Sequence, residues 1–293
     1  MTSPLRIAVG IATKGRPALL AATLQQLARQ TRAPDRLLLC PAGAADLPSD
    51  LPSACQVVWG PVGLPAQRNA ILDALDGIDI VVFFDDDFFP QPDYLAQVER
   101  LMRQRPRAVI VRGELVADGI HGAGYSVDEA LVLLQGDAGP AQVRVRPTYG
   151  AYGCNFAVRM DAVRAHGLRF DEALPLYGWQ EDIDFSRQAA VHGEVLWANT
   201  WRGVHLGTKQ GRTSGLRFGY SQVANPVYLV RKGTMSGAYA RRLMLGNLAS
   251  NLLRSAWPEA HVDRRGRLRG NLWALADWLR GRAHPGRILE IGA

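Results

Sequence analysis

The sequence predicts an α/β fold, a mostly parallel central sheet flanked by helices with a helical C-terminal extension, on three observations. Short apolar runs alternate with helix-period segments through the first half of the chain, the pattern of successive βαβ units. One of those runs, Ile78 to Phe84, is nearly continuous in apolar residues, which suits a strand buried on both faces. From Tyr220 onward the pattern is helical to near the C-terminus, with a turn around Val262 to Gly266.

Taken in order, Arg6 to Ala12 reads as the first strand, and Ala18 to Gln30 as a helix with Leu19, Leu20, Leu24 and Leu27 on one face. Arg36 to Cys40 and Cys55 to Trp59 are the next strands, Ala66 to Leu75 the second helix, and Ile78 to Phe84 the fourth strand. Helix over Pro92 to Arg103 and strand over Ala108 to Val116 follow. Ala117 to Pro147, of mixed composition with several glycines, reads as an insertion or hairpin region. Asn155 to Val158 and Val195 to Ala198 are strands, and Asp161 to His166 and Glu181 to His192 are helices. Gly203 to Gly219 is glycine-rich and basic, with too few apolar residues for a core element, and reads as a mobile loop. The expected division is an α/β domain over 1–232 and a basic amphipathic helical extension over 233–293.

At 293 residues the chain can hold one large α/β domain or two smaller ones, with apolar content enough for a sizeable core. No run approaches the roughly 18 apolar residues that span a bilayer, and no signal peptide is recognisable before Lys14. Cys40, Cys55 and Cys154 fit neither a disulfide framework nor a zinc cluster, so a cytoplasmic protein is expected. The net charge of +7 is unevenly distributed: ten arginines against four acidic residues after Ala240 give the tail +6 and leave the rest at +1. Those arginines interleave with leucines and tryptophans, as in a helix lying on an anionic membrane surface. A solvated basic face has the same composition. Nucleic acid is not an expected partner, because no recognition helix, zinc finger or RNA-binding signature accompanies the charge.

Asp85, Asp86 and Asp87 follow the fourth strand directly, at the edge where open α/β sheets bind ligands. Like charges so close repel unless a cation sits among them, and hard divalent ions such as Mg²⁺ or Mn²⁺ take carboxylates together with substrate phosphates. In this Asp-X-Asp pattern Asp85 and Asp87 can face one metal while Asp86 points to a ribose or sugar. The competing reading is a polar loop capping the next helix. A second acidic cluster, Glu181, Asp182 and Asp184, opens a helix, where carboxylates commonly complement the macrodipole. Trp179 beside it adds a stacking surface for a sugar ring, and a partly desolvated carboxylate is a suitable general base. His205 stands before Lys209, Arg212 and Arg217, cations suited to a leaving diphosphate. Thr13-Lys14-Gly15-Arg16-Pro17 after the first strand suits a nucleotide, and Arg68 and Asn69 point from the second helix toward the same edge.

As an ordered set over roughly residues 5 to 233, these motifs resemble family 2 glycosyltransferases of the GT-A fold. Thr13 to Pro17 resembles the family's nucleotide-contact motif, Gly63 to Asn69 its Gly-Leu-Ser-x-x-Arg-Asn segment, and Phe83 to Asp87 its metal motif. Gly153-Cys154-Asn155 and Phe170-Asp171-Glu172 precede Glu181-Asp182 as in the family's catalytic acid pair. The resemblance implies an inverting, metal-dependent transfer from a nucleotide-diphosphate sugar. It implies Asp182, with Glu181, as catalytic, and Asp85, Asp87 and His205 as ligands of Mg²⁺ or Mn²⁺. Thr13, Lys14, Arg16, Arg68, Asn69, Asp85, Asp86, Lys209 and Arg212 are then donor residues, and Trp179 an acceptor residue. A glycan or polyprenyl-diphosphate-linked acceptor, in bacterial exopolysaccharide or surface-glycan assembly, fits the family and the basic tail, with the enzyme peripheral on the inner face of the membrane. One departure is that Leu39 to Gly43 lacks the base-contacting aspartate that often follows strand two; Asp46 is available only where the loop folds back. A sugar nucleotidyltransferase is an alternative, but it is expected to carry a richer glycine loop after strand one than Gly15 provides. A non-catalytic membrane scaffold of the same fold is another.

Overall fold

The computed structural model describes residues 4–209 and 213–291. One nine-stranded sheet organises the chain. β1 (Ile7–Thr13), β2 (Arg36–Pro41), β3 (Cys55–Val57) and β4 (Ile80–Asp85) pair in parallel in the spatial order β3, β2, β1, β4. α1 (Pro17–Leu27) and α2 (Leu64–Asp73) are the crossovers between them. Every residue of β4 from Ile80 to Phe84 is buried, which is why that run shows no alternation.

Beyond β4 the sheet becomes mixed. β8 (Asn155–Arg159) runs antiparallel between β4 and β6 (Ala108–Asp118), and β6 pairs in parallel with β9 (Glu194–His205). β5 (Phe88–Pro90) and β7 (Val145–Pro147) both add antiparallel to β9. The helices of this half are α3 (Tyr94–Gln104), α4 (Val127–Gln135), α5 (Met160–His166) and α6 (Glu181–Ala189). Two corrections follow. The region from Ala117 to Pro147 is not a hairpin: it holds the end of β6, the helix α4 and the strand β7. α4 is opened by a capping box in which Ser126 and Glu129 bond each other's backbone N–H. Gly203 to His205, read as loop, is the end of β9, and α7 (Gly215–Lys232) already begins at Gly215.

Two aromatic clusters make the sheet edge at β4 rigid. Phe83, Phe156 and Phe170 pack on one face, with the Phe83 ring 5.4 Å from Phe156 and 5.5 Å from Phe170. On the other, Phe84 lies 5.0 Å from both Phe88 and Tyr94, and Tyr94 reaches Trp201 at 6.0 Å. The backbone carrying the three aspartates is therefore clamped from both sides.

α7, α8 (Gly237–Arg254) and α9 (Arg264–Leu279) form the C-terminal layer. Tyr220, Val223, Ala224 and Val227 of α7 pack with Ala274, Ile288 and Ile291 in a core of their own.

Candidate active site

Asp85 ends β4 and Asp87 sits in the turn to β5, whose pairing with β9 sets Phe88 opposite His205. Short local geometry thus brings together residues 120 positions apart. One oxygen each from Asp85 and Asp87 and one nitrogen of His205 lie within 4.8 Å of one another. The His205 Nε2 faces Asp87 at 3.4 Å, while Nδ1 lies 2.8 Å from Asp118. Asp118 also accepts hydrogen bonds from Tyr152 at 2.8 Å and the Ile120 N–H at 3.1 Å. Burial alone would lower the pKa of His205, but Asp87 and Asp118 outweigh it and raise it to about 10. The same contact holds Asp87 below the usual carboxylate range in spite of its burial. Two carboxylates and an imidazole whose second nitrogen is fixed by a carboxylate fit a divalent ion such as Mn²⁺ or Mg²⁺. Sequence reasoning missed Asp118, and nothing local to it carried a signal.

Asp86 turns the other way. It is fully buried, accepts from the Thr13 hydroxyl at 2.6 Å and pairs with Arg16 at 2.7 Å, and its carbonyl accepts from Thr23. Burial pushes its carboxyl up to about 7 against the pull of Arg16. Thr13, Arg16 and Asp86 therefore bind one another. Arg16 also reaches Asp87 at 3.4 Å, so the turn after β1 braces the aspartate triplet.

The second acidic cluster lies across the same edge. Arg68 is buried on α2 with its guanidinium 5.3 to 5.6 Å from the centroids of Phe83, Phe156 and Phe170. It pairs with Glu181, with Asp85 at 3.1 Å and with the Gly153 carbonyl at 2.6 Å, linking the two acidic clusters through one cation. Burial raises the Glu181 carboxyl to about 8 although Arg68 opposes this, and its Oε2 has no hydrogen-bond partner among the described residues. Asp182 is partly exposed and accepts the Gly153 and Ile183 N–H groups at 2.8 Å each; burial raises it too. Non-glycine residues at positive φ, Leu176 at 59° and Gln180 at 76°, flank the loop that delivers the pair.

Among solved structures that this chain resembles, TarS 1–349 from S. aureus aligns over 94% of this chain and 92% of that one, at 12% identity and a TM-score of 0.52. The chain spans 44% of the longer TarS structure. PcManGT, a mannosyltransferase from Pyrobaculum calidifontis solved with GDP-Man and Mn2+, aligns over 99% of this chain and 79% of that one, at 17% identity and a TM-score of 0.55. GalNAc-T7, solved with UDP, GalNAc and Mn2+, aligns over 99% and 57%, at 12% identity and a TM-score of 0.55. No protein-family model and no curated protein matches the sequence. The structural neighbours are GT-A glycosyltransferases. The fold is GT-A.

A cleft of about 360 Å³ opens on this edge of the GT-A sheet, lined by Asp85, His205, Arg68, Glu181, Asp182 and Trp179 among others. Trp179 is half-buried, with its ring 5.8 Å from Phe218 and its carbonyl held by Asn225 at 2.8 Å. Three further lining residues had escaped sequence reasoning. Tyr149 stacks on Tyr239 of α8 at 4.4 Å, and Arg112 extends from β6, where it pairs with β8 and β9, into the lining of the cleft. Burial lowers the pKa of Arg112 from its ordinary value.

Other candidate residues stand apart from the cleft. Asn69 is buried and clamps the loop before α6 through the Phe170 backbone and Glu172, so it shapes the site from behind. Lys14 is exposed on the turn after β1. Beside it the Gly15 N–H donates to Asp46 at 2.6 Å: the loop after β2 does fold back onto this turn. Lys209 donates to the carbonyls of Gly119 and Ile120 at 3.1 and 3.0 Å, next to the His205 and Asp118 pair. Arg212 lies outside the described residues.

Proposed function

We propose that the protein is an inverting glycosyltransferase that moves a sugar from a nucleoside-diphosphate donor to a hydroxyl of a glycan or a polyprenyl-diphosphate-linked saccharide. One observation carries this reading: the Asp85, Asp87 and His205 cluster presents Asp85 and His205 to the same cleft that the Asp182 carboxylate lines, at the carboxyl edge of β4, in a GT-A fold. The TarS and PcManGT structures that share the fold were solved with UDP-GlcNAc and with GDP-Man, which favours a nucleotide sugar as donor.

Asp85, Asp87 and His205 would hold Mg²⁺ or Mn²⁺. The bound ion supplies positive charge to the donor diphosphate. Asp182 takes the proton of the acceptor hydroxyl; the acceptor oxygen bonds to the anomeric carbon from the face opposite the diphosphate. The carbon–oxygen bond to the diphosphate breaks, and its electron pair leaves with the nucleotide. Lys209 and Arg212, on the segment after β9, are cations suited to that leaving charge, and Lys14 belongs to the turn that would contact the nucleotide. Glu181, held by Arg68, is the partner that fixes the position of Asp182 on α6. Trp179 offers an aromatic face to the acceptor sugar. Asp46, which accepts the Gly15 N–H, is the residue we assign in place of the base-contacting aspartate missing after β2.

The experiment is a thermal-shift screen with UDP-, GDP- and dTDP-sugars, with and without Mn²⁺, since a ligand that binds the folded state raises Tm by mass action. A rise with one nucleotide class, dependent on Mn²⁺, is expected. No rise with any donor, or equal rises without metal, would count against the reading.

A further inference from the structure

α8 and α9 are inside-out for helices in water. The buried positions of α8 are Ala240 and Asn251, and those of α9 are Gly270, Asn271, Ala274 and Asp277. The fully buried positions are polar or small, Met244 and Leu275 pack partly buried against the α7 core, and the other large apolar side chains include a set that faces outward. Trp257 is 86% exposed, Leu279 85%, Leu253 74% and Leu245 65%. Of the sixteen exposed large apolar residues among those described, nine lie after residue 244. On α8 they fall at Leu245, Leu252 and Leu253, with Trp257 in the turn that follows. Leu252 and Leu253 stand seven and eight residues, about two helical turns, after Leu245, which puts the three on one stripe of α8.

The inward amides are satisfied, so the arrangement is not a misplaced core. Asn251 bonds Gln222 and Asn271 at 2.8 Å each, and Asn271 bonds the Gly219 carbonyl at 2.7 Å. The outer face is fixed as apolar by a specific polar interior.

We propose that the outer face of the α8–α9 hairpin docks on an anionic phospholipid bilayer. Its charge selects this occupant. Arg241, Arg242, Arg269 and Arg280 are exposed and make no ion pair with a described residue, in a tail that carries +6. Two copies of such a face would bring like charges together, whereas an anionic surface offers an apolar layer beneath a negative one. No helix of the described residues is long and apolar enough to cross a membrane, so the hairpin lies on the bilayer rather than through it. The first turn of α8 also carries Tyr239 into the cleft, about 21 Å along the helix from Leu253 at the usual rise per residue. On the glycosyltransferase reading, that distance sets the cleft within reach of an acceptor sugar held on a lipid.

The test is co-sedimentation of the full chain with vesicles of phosphatidylglycerol and phosphatidylcholine, against phosphatidylcholine alone. The chain is expected to pellet with the anionic vesicles, less so as salt rises. Leu253→Ser with Trp257→Ser, and separately Arg241→Glu with Arg242→Glu, should each weaken binding about tenfold or more. Both pairs are exposed, so an unchanged Tm checks that the fold is intact, and neither measurement depends on whether a donor binds. Absence of pelleting with anionic vesicles, or equal pelleting by the variants, would overturn the proposal. So would a stable wild-type dimer that the Leu253 and Trp257 substitutions dissociate, since a second copy would then cover this face.

Discussion

Glu181 and Asp182 are adjacent in sequence yet differently placed: Glu181 is buried on Arg68, while Asp182 meets the cleft through a partly exposed carboxylate. Asp182 is the more accessible of the two to an incoming hydroxyl, since Glu181 is 3% exposed and held on Arg68 by its Oε1. Asp182→Asn should cut transfer by about 10² to 10⁴ while the donor-dependent rise in Tm persists; a variant that keeps turning over would remove it from the role of base. Because burial raises its pKa, the acid limb of kcat/KM should lie above the ordinary aspartate value of 3.8. Below that limb the base is protonated and activity falls. A limb close to about 8 would instead point to Glu181. Asp118 makes a second case. It fixes the His205 ring by its Nδ1, so Asp118→Asn should weaken Mn²⁺ binding about 10- to 100-fold. Mn²⁺ titration followed by Tm reads this directly, and unchanged affinity would leave Asp118 a bystander. These two residues also divide what was legible. The Asp85 to Asp87 and Glu181 to Asp182 runs announce themselves by local charge density, whereas Asp118, Arg112 and Tyr239 acquire meaning only through strand pairing and helix docking.

Glycines at the end of β9 misled the reading of that element. Gly203 to His205 looked mobile because glycine and basic residues dominate, but a Cβ at Gly203 would overlap the Phe88 ring, so the glycine serves close packing. The strand continues, and it is this continuation that brings His205 to Asp87. The same applies where β6 ends: a Cβ at Gly119 would overlap the Leu206 carbonyl, a backbone atom that cannot swing aside. Gly119→Ala should therefore destabilise the protein by about 1–3 kcal/mol and shift Asp118 and His205 together. Urea unfolding and Mn²⁺ titration of the same variant should both change; full stability with normal metal binding would show that the two strand ends are not tightly packed. α4 was missed: the glycines on either side made the region read as an insertion or hairpin, although Ser126 and Glu129 stand at capping-box spacing. The parallel half of the sheet read clearly because βαβ crossovers force helix and strand periods to alternate. In the mixed half β6, β8 and the start of β9 read as strands, but β5, β7 and the end of β9 did not, since these are short or glycine-rich pieces whose partners lie far off in the sequence.

At the scale of the whole molecule, the decisive joint is α7. It follows the sheet, props Trp179 through Asn225, and buries its apolar face against α9 and the final turn around Ile288. α7 and α9 approach so closely that a Cβ at Gly219 would overlap the Arg267 carbonyl, and one at Gly270 the Leu216 carbonyl. The sequence suggested a boundary between residues 232 and 233. Were the extension separable there, Tyr220, Val223 and Val227 would be left facing water. Asn271→Ala tests the coupling without truncation. It removes one buried hydrogen bond each from the Gly219 carbonyl, the Gln222 side-chain oxygen and the Asn251 amide, which keep their other partners, for a total cost of about 1–3 kcal/mol. If α7 joins the extension to the GT-A sheet as one cooperative unit, this variant should unfold in a single transition at lower urea concentration, with an unchanged slope. The loop bearing Trp179 and Asp182 should loosen in the same transition, seen as coincident loss of far-UV signal and of the donor-induced rise in Tm. Two resolved transitions, the earlier one leaving donor binding intact, would make residues 233–293 a domain of their own and would place the site's stability wholly within the sheet.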